Sequence, residues 1–181
     1  SPTFWSYERF DSVTTQIWDP DWSSYKPVDK WSLWHDYPAF DDADFMWLRT
    51  ITPNGWNAAT SAWVAGPVTL FDSIGALLPN RVHYAAARTP PTYPYRLNVI
   101  TNGVGGQTWV TYSLADCTPS TLPTANTNAR RCFPQWDGST FHWFHKYVVT
   151  AVTEKDLTGG GLDVTTNYSY SMNGSSENVL W

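Results

Sequence analysis

Phe141-His142-Trp143-Phe144-His145-Lys146-Tyr147-Val148-Val149-Thr150-Ala151-Val152-Thr153-Glu154 is the longest run of aromatic and β-branched residues in the chain. Such side chains favour a pleated, half-buried surface, so the run predicts a strand. Lys155-Asp156-Leu157-Thr158-Gly159-Gly160-Gly161 follows with turn chemistry. Leu162, Val164, Thr166, Tyr168, Tyr170 and Met172 then alternate with Asp163, Thr165, Asn167, Ser169 and Ser171. The expectation is a strand, a glycine turn and a return strand. A period of two in the return strand predicts one packed and one wet face, in an antiparallel pair at the side of a larger sheet.

The same grammar recurs upstream. Val13 to Trp18 alternates like a strand and Trp31, Leu33, His35 and Tyr37 like its partner, across the turn-forming Asp19 to Pro27. Phe45 to Ile51 reads as a short strand, and Pro53-Asn54-Gly55 as the turn that ends it. Ala62 to Ala65 and Val68 to Phe71 flank Gly66-Pro67, a break expected at an edge or bulge. Asp72 to Pro94 is irregular and predicts a surface crossing, while Tyr95 to Ile100 and Thr108 to Leu114 bracket the glycine turn Asn102 to Gly106. Helical periodicity is confined to Ser73 to Leu78, about a turn and a half. The predicted fold is all-β: an antiparallel sheet built from at least three successive hairpins, with little or no helix.

Composition narrows the function. A net charge of -5, with no Lys/Arg cluster to track a phosphate backbone, argues against nucleic acid. No apolar run approaches the roughly 20 residues that span a bilayer. Twelve Trp, ten Tyr and eight Phe beside only 15% charged residues serve either broad sheet faces or platforms for sugar rings. Trp18, Trp22 and Trp136, each read as a loop residue near Asp, are the candidates for glycan contact. No cofactor is implied. His142 and His145 lie three apart, which on a strand points them to opposite faces rather than to one metal ion. The Asp19-Pro20-Asp21 and Asp41-Asp42-Ala43-Asp44 clusters lack the spacing of a calcium loop. Neither G-x-S-x-G nor H-E-x-x-H occurs, and the chain is read as non-catalytic. Cys117 and Cys132 flank a polar loop with no hydrophobic pattern. A disulfide would close it in an oxidising compartment; the alternative is two free, partly buried thiols.

Asn126-Thr127-Asn128-Ala129-Arg130-Arg131-Cys132-Phe133-Pro134, followed by Trp143 to Glu154, resembles a block in actinobacterial RHS/YD-repeat proteins, the polymorphic-toxin shell family. Asp116-Cys117-Thr118-Pro119, Val110 to Ser113, Pro67 to Phe71 and Pro79 to Val82 are similar in the same order, with fainter similarity at Val13 to Asp19 and Val28 to Trp31. The resemblance implies a β scaffold, exported or surface-displayed, that winds hairpins into a shell around a toxin or effector. On this reading residues 1–181 are a single β-rich segment, a slice of a larger shell whose ends, Ser1-Pro2 and Val179-Leu180-Trp181, look cut. Its partners would be the rest of that shell or neighbouring strands. The chain departs from the family pattern at Phe40 to Phe45 and at Gln135 to Thr140, and it lacks repeated Tyr-Asp motifs and the self-cleaving aspartyl-protease core. Only the scaffold role therefore carries over. An aromatic-rich extracellular carbohydrate-binding module is the alternative.

Overall fold

The computed structural model describes residues 8–37, 39–40, 43–44, 46–73, 77–82, 93–124, 128–136 and 138–170. These form strands and connections without helix: β1 (Ser12–Asp19), β2 (Ser24–Asp36), β3 (Ala39–Phe40), β4 (Ala43–Asp44), β5 (Trp47–Asn57), β6 (Ala62–Ala65), β7 (Thr69–Asp72), β8 (Val99–Thr101), β9 (Gly106–Tyr112), β10 (Cys132–Trp136), β11 (Phe141–His145), β12 (Val149–Asp156) and β13 (Val164–Asn167). The all-β expectation is met. The terminal aromatic segments, Asp41, Asp42, Phe45, residues 74–76 of the short helical stretch and residues 83–92 of the predicted crossing lie outside the described residues.

One antiparallel sheet dominates, in the order β1-β2-β5-β7-β8-β9-β12-β13, with β6 also on β5. Apart from β6, each strand therefore pairs with the next one of this order along the chain. The result is a meander with three excursions: the β3–β4 pair, residues 73–98, and residues 113–148, which carry the β10–β11 hairpin.

The Pro53-Asn54-Gly55 turn is not formed. These residues lie inside β5, opposite Trp31, Lys30 and Asp29, and the chain turns at 58–61 instead. Proline is tolerated in this inner strand because of what faces it. Gly66 N donates to Pro53 O at 2.7 Å, so the backbone of Pro53 points toward the junction of β6 and β7. There the partner strand slips by one residue, from Asn54 opposite Ala65 to Ile51 opposite Thr69. Gly66-Pro67-Val68 is thus the expected bulge, and the missing N–H of Pro53 faces a gap in the ladder.

The decisive run at 141–154 is two strands, not one. It breaks at Lys146-Tyr147-Val148, where Lys146 N donates to Arg131 O and Val148 N to the Ser113 hydroxyl. β11 belongs to the small hairpin and β12 to the main sheet. The return strand is also shorter than predicted and exposed at all four residues. Alternation alone does not bury a face: β13 is an edge, and no described layer covers it.

Register assigns the two faces, since directly opposed residues share a side. Val13, Ile17, Trp31, Leu33, Ile51, Phe71, Ile100, Val110, Val152 and Val164 share one face. Thr14, Gln16, Ser32, Thr52, Asn54, Thr101, Gln107, Thr111 and Thr153 lie on the other, with Trp18, Trp34 and Trp109 among them. No residue named on the aliphatic face is fully buried. Val99 of β8 is buried within the main sheet; the remaining buried apolar side chains among the described residues sit in the excursions, where Val82, Cys117 and Cys132 pack with Leu122 and Trp143.

Turn chemistry is sharpest at Gly103. Its φ is 67°, and a Cβ there would run into the backbone oxygen and nitrogen of Val68. Gly138 has a φ of 103° but open space around it. Gly103→Ala is expected to destabilise by about 3 kcal/mol, combining left-handed strain with a backbone collision, and Gly138→Ala by only about 1 kcal/mol. Urea denaturation of the two variants checks the difference.

Candidate functional site

Of the three candidate glycan tryptophans, only Trp22 lies in a turn. Trp18 is the penultimate residue of β1 and meets Tyr25 edge-on, ring centroids 5.1 Å apart. Trp22 sits under the Lys26 ammonium, 4.7 Å from its ring centre. Trp136 ends β10 and tilts against Phe141 at 5.0 Å. Trp18 and Trp136 are strand residues because each has an aromatic directly across the ladder, a favourable cross-strand pair. The three are divided between two sheets, so no common platform is built from them.

The Cys117–Cys132 disulfide is formed and buried. Around it, polar side chains fix the ends of the loop. Arg131 N donates to the Asp116 carboxylate at 2.8 Å, and an Arg130 guanidinium nitrogen donates to Asp116 O at 2.9 Å. The Asn128 amide donates to Cys132 O, while its Oδ1 accepts from Arg130 N. Asn128 was not singled out by the sequence reading, although an Asn ahead of a Cys that closes a loop is a recognisable capping signal.

Arg96 is the charged centre of the excursions. Its guanidinium donates to Leu78 O at 2.8 Å and lies 4.7 Å from the centre of the Tyr147 ring. Its backbone N–H donates to the Ser73 hydroxyl. Tyr147 donates to Pro79 O and Tyr112 to Leu97 O. Burial pushes both tyrosine hydroxyls above their ordinary range, and the Arg96 charge opposes that rise. Burial likewise lowers Arg96, with Tyr147 and then Tyr112 working against it. Each hydroxyl already donates to a backbone carbonyl, so the cluster acts as a clamp between residues 73–98 and the β9–β12 region rather than as an acid–base pair. Sequence reasoning missed it because Arg96 and Tyr147 are far apart in the chain and share no motif.

His145 closes this cluster. Its Nδ1 is buried with no hydrogen-bond partner, and burial followed by the Arg96 charge holds its pKa below the ordinary imidazole value. His142, three residues earlier, belongs to the other side of β11, as the strand period requires. Among the described residues no three His, Cys, Asp or Glu side chains gather as a metal site.

The aliphatic face carries a depression of 790 Å³. Gly55 opens it, having no heavy atom within 4 Å of where a Cβ would stand. Trp31, Pro53 and Val64 line it with Asp29 and Asn57. The Asn57 side-chain oxygen is already taken by the backbone N–H groups of Ala59 and Thr60. What remains is a shallow apolar trough with one carboxylate at its rim. It offers a ligand an aromatic and aliphatic surface with one carboxylate beside it.

No protein-family model matches the chain, and neither a curated protein nor a solved structure is detectably similar to it.

Two outcomes follow. Replacing both cysteines by Ala is expected to cost about 3 kcal/mol, the chain-entropy value for a loop of this size, as read by denaturant unfolding. His145 binds a proton more readily when unfolded than when folded, so stability rises with pH between its lowered folded pKa and the usual 6.5. The melting temperature should therefore fall as pH drops from 7.5 through 6.5 toward 5, and His145→Gln should flatten that slope.

Proposed function

We propose that this chain is a non-catalytic β-scaffold segment of an exported RHS/YD-repeat type protein that encloses or displays a toxin or effector, placing it outside the cell or on its surface. The observation that carries the scaffold reading is the uncovered aliphatic face. Among the described residues only Val82, Val99, Cys117 and Cys132 are buried apolar side chains, whereas Val13, Ile17, Val64 and Val164 on that face are all at least half exposed. A face of this size and chemistry is an interaction surface in a folded protein. The meander supports the reading further, because a sheet whose neighbours are successive hairpins can be extended at either side without rearranging what is already paired. The disulfide fits an oxidising compartment. The RHS label itself rests on the resemblance of the 116–119, 126–134 and 143–154 blocks.

One observation favours a second reading, an extracellular carbohydrate-binding module: Trp31 and Asp29 flank the Gly55 depression, an aromatic plane beside a carboxylate. On this second reading the glycan contact would be Trp31 in place of Trp18, Trp22 and Trp136.

Val64→Lys separates the two. In the scaffold reading Val64 is covered in the complete gene product, so the variant should leave the melting temperature of the 181-residue chain within about 2 °C, an exposed-site effect. The same change should sharply reduce the yield of assembled full-length protein. Equal assembly of wild type and variant, with glycan-array binding lost in Trp31→Ala, would replace the scaffold by the binding module.

A further inference from the structure

We infer that residues 78–82 are an acid-operated strap, which keeps the Cys117–Cys132 disulfide covered while His145 is neutral and opens it to reductants when His145 takes a proton. Such a device is independent of the scaffold reading, since it concerns the excursions and not the aliphatic face.

Three consecutive carbonyls of the strap are fastened by one cluster. Leu78 O accepts from the Arg96 guanidinium at 2.8 Å, Pro79 O from the Tyr147 hydroxyl at 3.0 Å and Asn80 O from His145 N at 2.9 Å. Arg81 then bridges to Phe144, and Val82 N donates to Trp143 O at 2.8 Å. That bond sets Val82 on the disulfide, packed with the buried Cys117 and Cys132. The strap lies outside the main sheet, so it can part from β11 while the long ladder stays paired. Opening it uncovers the sulfur atoms.

The imidazole sits inside this fastening. Its ring centroid is 5.7 Å from that of Tyr147, and the Arg96 guanidinium lies 4.7 Å from the centre of the same tyrosine ring. A proton added at the unpartnered Nδ1 would meet no acceptor and a nearby guanidinium, which is costly away from water. Counter-charge is scarce around it. Residues 73–98 carry Arg81, Arg88 and Arg96 with no Asp or Glu, and residues 113–148 carry Arg130, Arg131 and Lys146 against Asp116 and Asp137. Asp116 is taken up by Arg130 and by the backbone and side chain of Arg131, while Asp137, Arg88 and His83 lie outside the described residues. Cys132, directly across from His145, is in the disulfide, and the Tyr112 and Tyr147 hydroxyls are held above their ordinary range and stay neutral. The closed strap therefore favours the neutral ring, and its pKa lies below the ordinary value. Once the strap opens, the ring returns to water and titrates at about 6.5. Acid thus shifts the balance toward the open strap, by at most about thirtyfold at pH 5.

Reduction of the disulfide by a water-soluble phosphine measures the opening, because a phosphine attacks sulfur directly and stays reactive in acid. The phosphine is oxidised to its oxide with oxygen from water, and the S–S bond becomes two thiols. Each rate is divided by that of a short unstructured disulfide peptide at the same pH. From pH 7.5 to 5.0 the corrected rate should rise at least about fivefold in the wild type and in His142→Gln, whose ring belongs to the other side of β11, and less than about twofold in His145→Gln. Hydrogen exchange on the wild type gives a second reading that does not depend on how well the variant folds. Corrected for its intrinsic pH dependence, exchange should quicken in acid at the amides of Val82 and His145 and not in the β9–β12 ladder. A flat corrected rate in the wild type, or an equal rise in His145→Gln, overturns the inference. So does exchange that quickens equally in β9 and β12, because the whole sheet would then be unfolding.

Discussion

The ladder of main-chain hydrogen bonds between consecutive antiparallel neighbours is the constraint on which the rest of this structure depends. In most domains a sheet is held by the layer packed on it, and backbone pairing decides register more than existence. Here the aliphatic face has no described covering layer, so the pairing of β2 with β5 and of β9 with β12 must carry much of the order. Irregularities are placed where that ladder tolerates them. Pro53 faces the gap at Gly66, Thr15 bonds the Asp29 backbone across the β1–β2 bulge, and Arg49, at the β2–β5 bulge, reaches Asp72 at 2.7 Å.

Apart from Val99 in β8, the buried apolar side chains among the described residues lie off the sheet, in its excursions. Residues 80–82 run along β11, with His145 N bonded to Asn80 O and Val82 N to Trp143 O. The disulfide lies beneath them, and Arg96 ties the same region to Tyr147. Small cores of this kind lean on covalent and charge-assisted links because too little apolar area is available to them. The ends of β7, β8, β9 and β12 are thereby fixed from one side, whereas β1 and β2 are held by strand pairing and by the Thr15 and Asn54 side chains that bond to β2.

Sequence alone made the strand class legible because β-branched alternation and glycine turns are local signals. Val13 to Trp18, Gly66-Pro67 and Asn102 to Gly106 read correctly for that reason. Pro53-Asn54-Gly55 misled because turn propensity is local while the gap that accommodates Pro53 is made by Gly66, thirteen positions on. The run at 141–154 misled for a related reason. Nothing in the composition of Lys146-Tyr147-Val148 announces that Arg131 and Ser113 will draw its two halves into different sheets. Of the candidate residues, the cysteine pair was readable from the unpatterned loop between them. The Arg96 clamp and the Gly55 depression were not, since each gathers side chains from strands or loops remote in sequence.

The order of the strands also has a consequence for how the chain is made. Because every main-sheet strand after β1 pairs with one that precedes it in the chain, β5 finds β2 already synthesised and β12 finds β9 waiting. Such a topology can be laid down strand upon strand as the polypeptide leaves a ribosome or an export pore, with no early segment waiting for a distant late one. The exceptions are the detours at 73–98 and 113–148, whose own contacts mature only after the strands that flank them. Cys117 in particular emerges well before Cys132, so its thiol is open to any oxidant or chaperone met in that interval.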